Sequence, residues 1–211
     1  MNEPPITLHG TEFSGHTHRV VLLLRILEIP YRFASAPAEV RQSPQFLRLN
    51  PLGEIPVLQD GSLVLPDSNA ILVYLVKRYA PGSQWLPEEP VAAARVQRWL
   101  AIAAGQLMYG PSIARRIVQW SYPADHQRAV GIAVGLLRFM EAHLAERPYL
   151  TGDSATIADL ACYSYTAHAP EGGIPLAPYP NVRRWLSRIE ALPRFQPMPP
   201  SPIPASAVTA G

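Results

Sequence analysis

The sequence contains one cysteine, one lysine and no long apolar run, and each shortage excludes a class of protein. The single cysteine, Cys162, excludes a disulfide framework, a zinc cluster of cysteines and a CxxC redox pair within one chain. All but one of the 18 basic residues are arginines. They are scattered along the chain and the net charge is only +2, so a nucleic-acid-binding surface is not indicated.

Two further absences concern membranes and export. The apolar run 20–27 is interrupted by Arg25 and is far too short to span a bilayer. The N-terminal sequence MNEPPITLHG lacks the basic-then-apolar order of a signal peptide. We therefore expect a cytoplasmic protein that binds neither membranes nor nucleic acid.

The composition provides enough apolar chain for a sizeable core. The 211 residues are 48% hydrophobic and 16% charged, which is typical of a globular protein with one large or two small domains. Residues 81–90, PGSQWLPEEP, are rich in proline and predict a linker between two parts of the chain.

The first 80 residues predict a β-α-β-α-β-β-α order. The turn signal Asp60-Gly61 joins the last two strands as a hairpin. A crossover unit followed by an antiparallel hairpin gives a four-stranded mixed sheet. The predicted elements are strands at 6–9, 31–34, 57–58 and 63–65, and helices at 15–28, 43–49 and 70–79.

Beyond the linker only helices are predicted, and Thr156 with Asp159 forms a capping-box-like start for one of them. The chain therefore divides into an α/β domain at 1–80, the linker at 81–90, an all-helical domain at 91–198 and a Pro-rich tail at 199–211. The whole segment from Pro193 onward is expected to wrap the surface or to be disordered. The predicted helices are 91–120 with a bend near Gly105 or Gly110-Pro111, 125–146, one that starts at 157, and 181–192.

The segment NPLGEIPVLQDGSLVLPDSNAILVYL, residues 50–75, suggests a binding edge. Pro56 opens a strand and cannot donate a ladder hydrogen bond, so it lies at the first position or at the sheet edge. A cis Ile55-Pro56 bond would turn the backbone of Ile55 outward. The helix start at Asp67-Ser68 offers N–H groups and a dipole that favour an anion. Such an edge suits a small extended peptide.

These residues, in this order, resemble the glutathione transferase superfamily over residues 5–198. The resemblance implies a thioredoxin-like N-terminal domain, an all-helical C-terminal domain, glutathione as co-substrate and a homodimer formed through the third helix and the first C-terminal helix. The segment SGHTHRV (14–20) is similar to the serine-type classes theta, phi and zeta, whose catalytic serine precedes the first helix. The most specific matches are RQSPQFLRLNPLGEIPVL (41–58), PDSNAI (66–71) and TIADL (156–160).

Two interpretations of Ser14 are open. A serine at this position is a favourable helix N-cap. By resemblance, its hydroxyl donates a hydrogen bond to the glutathione sulfur, and Thr11 is the alternative donor. A free thiol has a pKa of about 8.5, and lowering it by about two units requires roughly 2.7 kcal/mol of thiolate stabilisation. One hydroxyl donor and the positive end of a helix can supply that order of energy.

The resemblance assigns glutathione-binding roles to two further pairs of residues. Ile55 and Pro56 would offer main-chain hydrogen bonds to the cysteinyl part, or Pro56 serves only as a structural cis-proline. Ser68 would bind the γ-glutamyl carboxylate and Asp67 the γ-glutamyl ammonium. A plain helix N-cap is the alternative role for Asp67.

The glycyl carboxylate would lie at a third position. Arg41 and Gln42 match the pair that holds it in the serine-type classes, since arginine suits a carboxylate fork. A solvated surface arginine is the alternative. Glu54 departs from the family pattern, which has Lys or Gln at this position. An acid there repels the glycyl carboxylate and lowers the affinity for glutathione unless its side chain points away.

The electrophile pocket is expected between the two domains. An arginine, Arg115 or Arg116, would contact an anionic substrate group, and aromatic side chains at helical spacing are alternatively core residues. The candidate pocket residues are Phe13, Met108, Tyr109, Ile113, Arg116 and Trp120.

Metal chemistry and an enzyme thiol are not indicated. His16 and His18 are two residues apart and would face different directions on a helix, and six scattered histidines give no zinc signature. Cys162 follows the capping box among apolar residues and is expected to be buried. We expect a glutathione transferase. The alternatives are another glutathione-dependent reaction, such as peroxide reduction, dehalogenation or isomerisation, and a non-enzymatic binding protein, which Glu54 favours.

Overall fold

The N-terminal half folds around a four-stranded mixed sheet of order β2-β1-β3-β4, in a computed structural model that describes residues 6–205. Strand β1 pairs in parallel with β2 and antiparallel with β3, and β4 extends the sheet beyond β3. The predicted fold class is confirmed. The elements are β1 (Ile6–Gly10), α1 (Gly15–Ile26), β2 (Tyr31–Ser35), α2 (Ala38–Arg41), α3 (Pro44–Leu49), β3 (Val57–Asp60), β4 (Leu63–Pro66) and α4 (Ser68–Tyr79).

Within the described chain, the C-terminal half consists of helices with one isolated β-bridge, Tyr149–Gly152. The predicted helix 91–120 is interrupted where a bend was expected, because Gly105 leaves the helical conformation and Pro111 lies inside a π-helical turn. The elements are α5 (Pro90–Ala104), the π-helical turn Met108–Ser112, α6 (Ile113–Trp120), α7 (His126–His143), α8 (Ile157–Ala167), the 3₁₀ turn Ala169–Gly172 and α9 (Pro180–Glu190).

One continuous apolar core joins the two halves, and it includes Leu22 of α1, Leu72 of α4 and Leu160 of α8. The predicted capping box at the start of α8 is present, with Asp159 accepting from the N–H of Thr156 at 2.8 Å. The same buried carboxylate accepts from Trp185 of α9, so the capping box also ties two helices together. The shared core fixes α1 against the helical half.

The C-terminal segment lies on the molecule as far as residue 205. Met198 is buried, and the carbonyl of Gln196 accepts from Nε2 of His18 at 2.7 Å. The expectation that the tail wraps the surface is thus met for its described part, and residues 206–211 lie outside the described residues. No helix of residues 6–205 is long and apolar enough to cross a membrane.

Candidate active site

Three chain segments meet at one end of the sheet because of the strand register. His9 at the end of β1 pairs with Val57, and Val57 pairs with Pro66 at the end of β4. The residues that follow β1, precede β3 and follow β4 therefore come together. These segments contain Ser14, Ile55-Pro56 and Asp67-Ser68, which the sequence singled out as candidates.

Ser14 is the N-cap of α1, and its Oγ accepts from the N–H of Thr17 at 3.2 Å. Ser14 is thus a helix N-cap, but capping uses only the oxygen as an acceptor and leaves the hydroxyl hydrogen free to donate. Among the described residues no acceptor is found for the hydrogen of this half-buried hydroxyl. An O–H that already accepts from an N–H is polarised and donates more strongly. The main-chain carbonyl of Thr11 accepts from the N–H of Ser14 at 3.2 Å and so holds the loop before α1.

The Ile55-Pro56 peptide bond is cis, and Pro56 is buried immediately before β3. The side chain of Ile55 packs against the small cluster formed by Ala36, Phe46 and Val57. Its main-chain N–H and C=O have no hydrogen-bond partner within residues 6–205. Unpaired main-chain groups at the end of a sheet can pair with an extended peptide, as in strand addition.

Asp67 is the N-cap of α4, and its Oδ1 accepts from the N–H groups of Asn69 and Ala70 at 2.9 Å each. In the described structure Oδ2 has no partner, so one carboxylate oxygen remains for a cation such as an ammonium group. Asp67 has a φ of 73°, a conformation that side chains with a Cβ rarely adopt. Such backbone strain is concentrated at functional positions.

Ser68 is buried at the first position of α4, and its Oγ accepts from Nη1 of Arg19 at 3.2 Å. Its N–H belongs to the first turn of the helix and is not among those that Asp67 caps. This donor and the helix dipole favour a carboxylate here.

Arg19 is a site residue that the sequence reasoning missed. Its side chain is fully buried, Nη1 also donates to Oδ1 of Asn69 at 3.0 Å, and Nε and Nη2 have no partner in the part of the chain described. Burial lowers the pKa of Arg19, yet a guanidinium stays charged in proteins. A positive charge therefore lies behind Ser68. An arginine within the apolar helix sequence RVVLLL was the signal available.

Arg41 lies beside Gly53, with Nη1 3.5 Å from the Gly53 carbonyl oxygen. Its Nε is buried without a partner in the described structure, so a donor remains for a carboxylate. Gln42 is the exposed C-cap of α2. Glu54 is exposed and its side chain takes part in none of the ion pairs found in residues 6–205, while its carbonyl accepts from Nδ2 of Asn50 at 2.9 Å. The backbone at Glu54 is thus fixed, whereas the carboxylate lies in solvent.

His16 connects the N-terminal site to the helical half. Its Nδ1 lies 3.5 Å from Oγ of Ser68, and its Nε2 lies 3.3 Å from the sulfur of Met108. Burial, with a smaller effect from the charges of Arg19 and Arg116, lowers the pKa of His16 to about 3. The imidazole is therefore neutral at physiological pH and contributes shape and weak polar contacts.

The predicted electrophile-pocket residues fall into two groups. Phe13 and Trp120 are exposed and meet edge to face with ring centroids 6.4 Å apart, and Tyr109 is also exposed. Met108 contacts His16, as described, and Ile113 is half-buried against the main core. An exposed aromatic surface beside the Ser14 loop favours an apolar ligand.

The two arginines considered as anion contacts, Arg115 and Arg116, differ in how far their guanidinium groups are used by the protein. The guanidinium of Arg116 stacks on the ring of Tyr122 at 3.8 Å and remains half-buried. Arg115 is not free to bind a substrate anion, because each of its three nitrogens donates to the protein. The signal for this was absent from the local sequence, since its acidic partner, Glu171, lies 56 residues away.

Cys162 and His18 are structural. Cys162 is buried, and burial raises the pKa of its thiol to about 12, so a reactive thiolate does not form at neutral pH. His18 faces Ser164 and Gln196, away from the direction of His16. No group of three potential metal ligands is found in residues 6–205.

Comparisons with known proteins agree with this geometry. The family model for the glutathione S-transferase N-terminal domain matches residues 8–84, and that for the C-terminal domain matches residues 99–193. Glutathione S-transferase 3 of Zea mays is 32% identical, over 94% of this chain and 97% of its own length. Glutathione S-transferase GstB of Escherichia coli K12 is 28% identical, over 89% of this chain and 94% of its own.

Two solved structures are similar over nearly the whole chain. The glutathione S-transferase of Pseudomonas fluorescens has a TM-score of 0.86 and 32% identity, and covers 92% of this chain and 99% of its own. A glutathione transferase homologue of Drosophila mojavensis with bound glutathione has a TM-score of 0.79 and 27% identity, and covers 90% of this chain and 89% of its own.

Proposed function

The chain belongs to the glutathione S-transferase family, and we propose that it conjugates glutathione to small apolar electrophiles with Ser14 as the hydrogen-bond donor to the reacting sulfur. The observation that carries this proposal is the unused hydrogen of the Ser14 hydroxyl at the N-terminus of α1. A thiolate in front of this hydroxyl gains a hydrogen bond and the favourable dipole of the helix. Ser14 acts as a donor and not as a nucleophile.

The unpaired groups around Ser14 match the parts of glutathione. The γ-glutamyl ammonium would pair with Oδ2 of Asp67, and its carboxylate with the N–H and hydroxyl of Ser68. The cysteinyl part would pair with the main chain of Ile55 beside Pro56. Arg41 with Gln42 would hold the glycyl carboxylate, and Glu54 would stay in solvent. Each assignment rests on a polar group left without a protein partner, on solvent exposure or on position at the site.

The electrophile would lie on the aromatic surface near the Ser14 loop. Phe13, Tyr109 and Trp120 present exposed rings, and Arg116 offers a positive charge for an anionic substituent. Met108 and Ile113 complete the wall from the helical half. This arrangement supports a division of labour in which residues 1–80 bind glutathione, 81–90 link, 91–198 shape the electrophile pocket and 199–211 form a tail.

We further propose a homodimer formed through α4 and α5 and a cytoplasmic, detoxifying role. A groove of about 490 Å³ runs between these two helices and is lined by small and apolar side chains, among them Val73, Leu100 and Ala104, together with the polar side chains of Asp67, Asn69, Tyr74 and Gln97. Such a surface suits burial against a second copy of the chain.

The test of this proposal compares two serines that cap helices in the same way. Ser14 accepts from Thr17 and Ser43 accepts from Phe46, both at 3.2 Å, so replacing either by alanine removes one cap worth about 1 kcal/mol. We expect Ser14→Ala to leave glutathione binding, measured by calorimetry, largely intact and to raise the pKa of the bound thiol by about one to two units. The ultraviolet absorbance of the thiolate reports this pKa.

Ser43→Ala is expected to lose similar stability and to keep the thiol pKa of the unmodified protein. An unchanged titration in Ser14→Ala would remove Ser14 from its proposed role. Absence of binding at millimolar glutathione in the unmodified protein would overturn the proposal as a whole.

A further inference from the structure

Arg115 of α6 is buried between the helical half and the loop that carries Ser14. Its side chain is 2% exposed, and its three nitrogens donate in three directions. Nη1 donates to the carbonyl of Phe13 at 2.7 Å, Nε to Glu171 at 2.5 Å and Nη2 to Oγ of Ser201 at 3.1 Å. The guanidinium thus joins the residue before Ser14 to the 3₁₀ turn and to the C-terminal tail.

Glu171 balances the charge of Arg115 and completes its hydrogen bonds. Its other oxygen, Oε1, accepts from Nδ1 of His168 at 2.6 Å and from the N–H of Ser201 at 2.9 Å. Burial raises the pKa of Glu171, but these hydrogen bonds outweigh it and bring the pKa to about 2. A fully satisfied buried network of this kind is rigid.

The approach of the 3₁₀ turn to α6 depends on Gly172. A Cβ at this position would lie 2.6 Å from the backbone nitrogen of Arg115, closer than any real contact allows. The 3₁₀ turn therefore packs closely against α6, which places Glu171 within hydrogen-bond distance of the guanidinium. The network is built by backbone packing as well as by charge.

The peptide group between Phe13 and Ser14 is held at both ends. Arg115 donates to the Phe13 C=O of this peptide group. The Ser14 N–H of the same group donates to the carbonyl of Thr11 at 3.2 Å. Rotation of this peptide plane would change the backbone dihedral of Ser14 and displace the hydroxyl. Holding the plane therefore fixes where the hydroxyl points.

The tail supplies part of this arrangement. Ser201 contacts both Arg115 and Glu171, and Gln119 of α6 donates to the carbonyl of Pro202 at 2.8 Å. His18, one turn after Ser14, donates to the carbonyl of Gln196. Residues 196–202 thus lie as a strap across α1 and α6.

We propose that Arg115 is a positioning residue for Ser14, and that Ser201 of the strap holds Arg115 in the orientation this requires. The proposal rests on the proposed function, since the aim of the hydroxyl matters only where a thiolate faces it. A salt bridge for stability alone would not explain the arrangement, because buried ion pairs contribute little net stability compared with apolar residues. An apolar pair at these positions would lack a hydrogen-bond donor for the Phe13 carbonyl, whereas Arg115 provides one.

The test uses Arg115→Lys and Ser201→Ala in the full chain, with Arg138→Lys as the control. Lysine keeps the charge but cannot reach Glu171, Phe13 and Ser201 together. Arg138 is an exposed arginine of α7, and its side chain makes no hydrogen bond, ion pair or ring contact within residues 6–205. Each variant is measured by thermal unfolding, by exchange of the Ser14 amide hydrogen without ligand, and by calorimetry and thiolate titration with glutathione.

For Arg115→Lys we expect exchange of the Ser14 amide to be about tenfold faster. We expect a rise of about half to one unit in the pKa of the bound thiol, with the glutathione Kd, measured at a pH below that pKa in the unmodified protein, changed less than about twofold. Ser201→Ala should act in the same direction with a smaller effect, and Arg138→Lys should match the unmodified protein.

The proposal is overturned if Arg115→Lys and Ser201→Ala unfold at lower temperature while Ser14 amide exchange and thiol pKa stay at their original values. That outcome would make the network purely structural. If Arg115→Lys does not fold, the same criterion applies to Ser201→Ala. If the unmodified protein binds no glutathione, the proposed function fails, and the Ser14 amide exchange alone decides the positioning role.

Discussion

At the scale of single residues, Glu54 is an exposed acid that follows Gly53, whose carbonyl lies near Arg41. Its carboxylate takes part in none of the ion pairs of the described chain. The carbonyl of the same residue is fixed by Asn50, so the side chain is attached at a rigid point but is itself free to turn. On the proposed binding of the glycyl carboxylate at Arg41, Glu54 would repel that anion through the solvent without blocking the position.

Replacing Glu54 by glutamine should strengthen glutathione binding. Repulsion between exposed charges amounts to at most about 1 kcal/mol, so we expect a Kd about two- to fivefold lower, measured by calorimetry at low salt. The difference should shrink at high ionic strength, because salt screens exposed charges. Glu146→Gln, at another exposed glutamate, serves as the control. An unchanged Kd in Glu54→Gln would mean that the carboxylate does not face the glycyl end.

Local structure was predictable where a short pattern carries it. The cap at Ser14, the strand start at Pro56 and the helix start at Asp67-Ser68 follow from turn and cap chemistry, which a short sequence encodes, whereas their proposed roles toward glutathione came from the family resemblance. The buried hydrogen-bond networks of Arg19 and Arg115 could not be found in this way. They depend on partners about 50 residues away, so no short pattern shows them.

At the scale of elements, the break between α5 and α6 depends on a glycine. A Cβ at Gly110 would lie 2.8 Å from the backbone nitrogen of Ala133 in α7, so the π-helical turn and α7 pack backbone to backbone. The break brings Met108 to His16 and so helps to build the wall of the site.

Gly110→Ala should lower the free energy of unfolding by about 1–3 kcal/mol, since the neighbour is backbone and cannot move aside cheaply. Gly131→Ala in α7 is the matched control, because a Cβ there meets nothing within 4 Å. That substitution should raise the free energy of unfolding by about 0.5–1 kcal/mol through helix propensity. Urea unfolding measures both, and equal effects would contradict this account of the break.

Elements with strong local signals were predicted to within a few residues. The Asp60-Gly61 hairpin and the capping box at Thr156 are two examples, because turn and cap chemistry is short-range. Helix α2, Ala38–Arg41, was missed because four residues are too few to show a helical period. The helix 91–120 was predicted as bent, but the sequence does not show that packing against α7 converts the bend into a π-helical turn.

At the scale of the whole molecule, three buried titratable groups make the fold sensitive to acid. Burial lowers the pKa of His16 to about 3, and that of His18 to about 4 against a weaker opposing hydrogen bond to Gln196. The unfolded chain binds protons to both below about pH 6.5, whereas the folded chain does not, so stability falls as pH falls below that value. Glu171, with its pKa near 2, adds a loss between about pH 4.5 and 2.

We therefore expect the free energy of unfolding to be constant near neutral pH and to fall from about pH 6.5, by up to about 1.4 kcal/mol per pH unit for each histidine. Urea unfolding at a series of pH values measures this slope. His18→Gln should reduce it between about pH 6.5 and 4. A slope that is the same in the variant and in the unmodified protein would show that His18 does not cause it.

The strap across α1 and α6 has a consequence for biosynthesis. Ser14 is synthesised early and Ser201 near the end of the described chain, so the strap cannot contact Arg115 and α1 for most of translation. On the proposed roles, a nascent chain could fold its sheet long before its hydroxyl was correctly aimed. A chain shortened by premature termination or proteolysis between the end of α9 and residue 201 would then keep the shared core but lack the hydrogen bonds from Ser201 that orient Arg115. On these roles, the Ser14 hydroxyl would reach its final orientation only after the C-terminal strap has been synthesised.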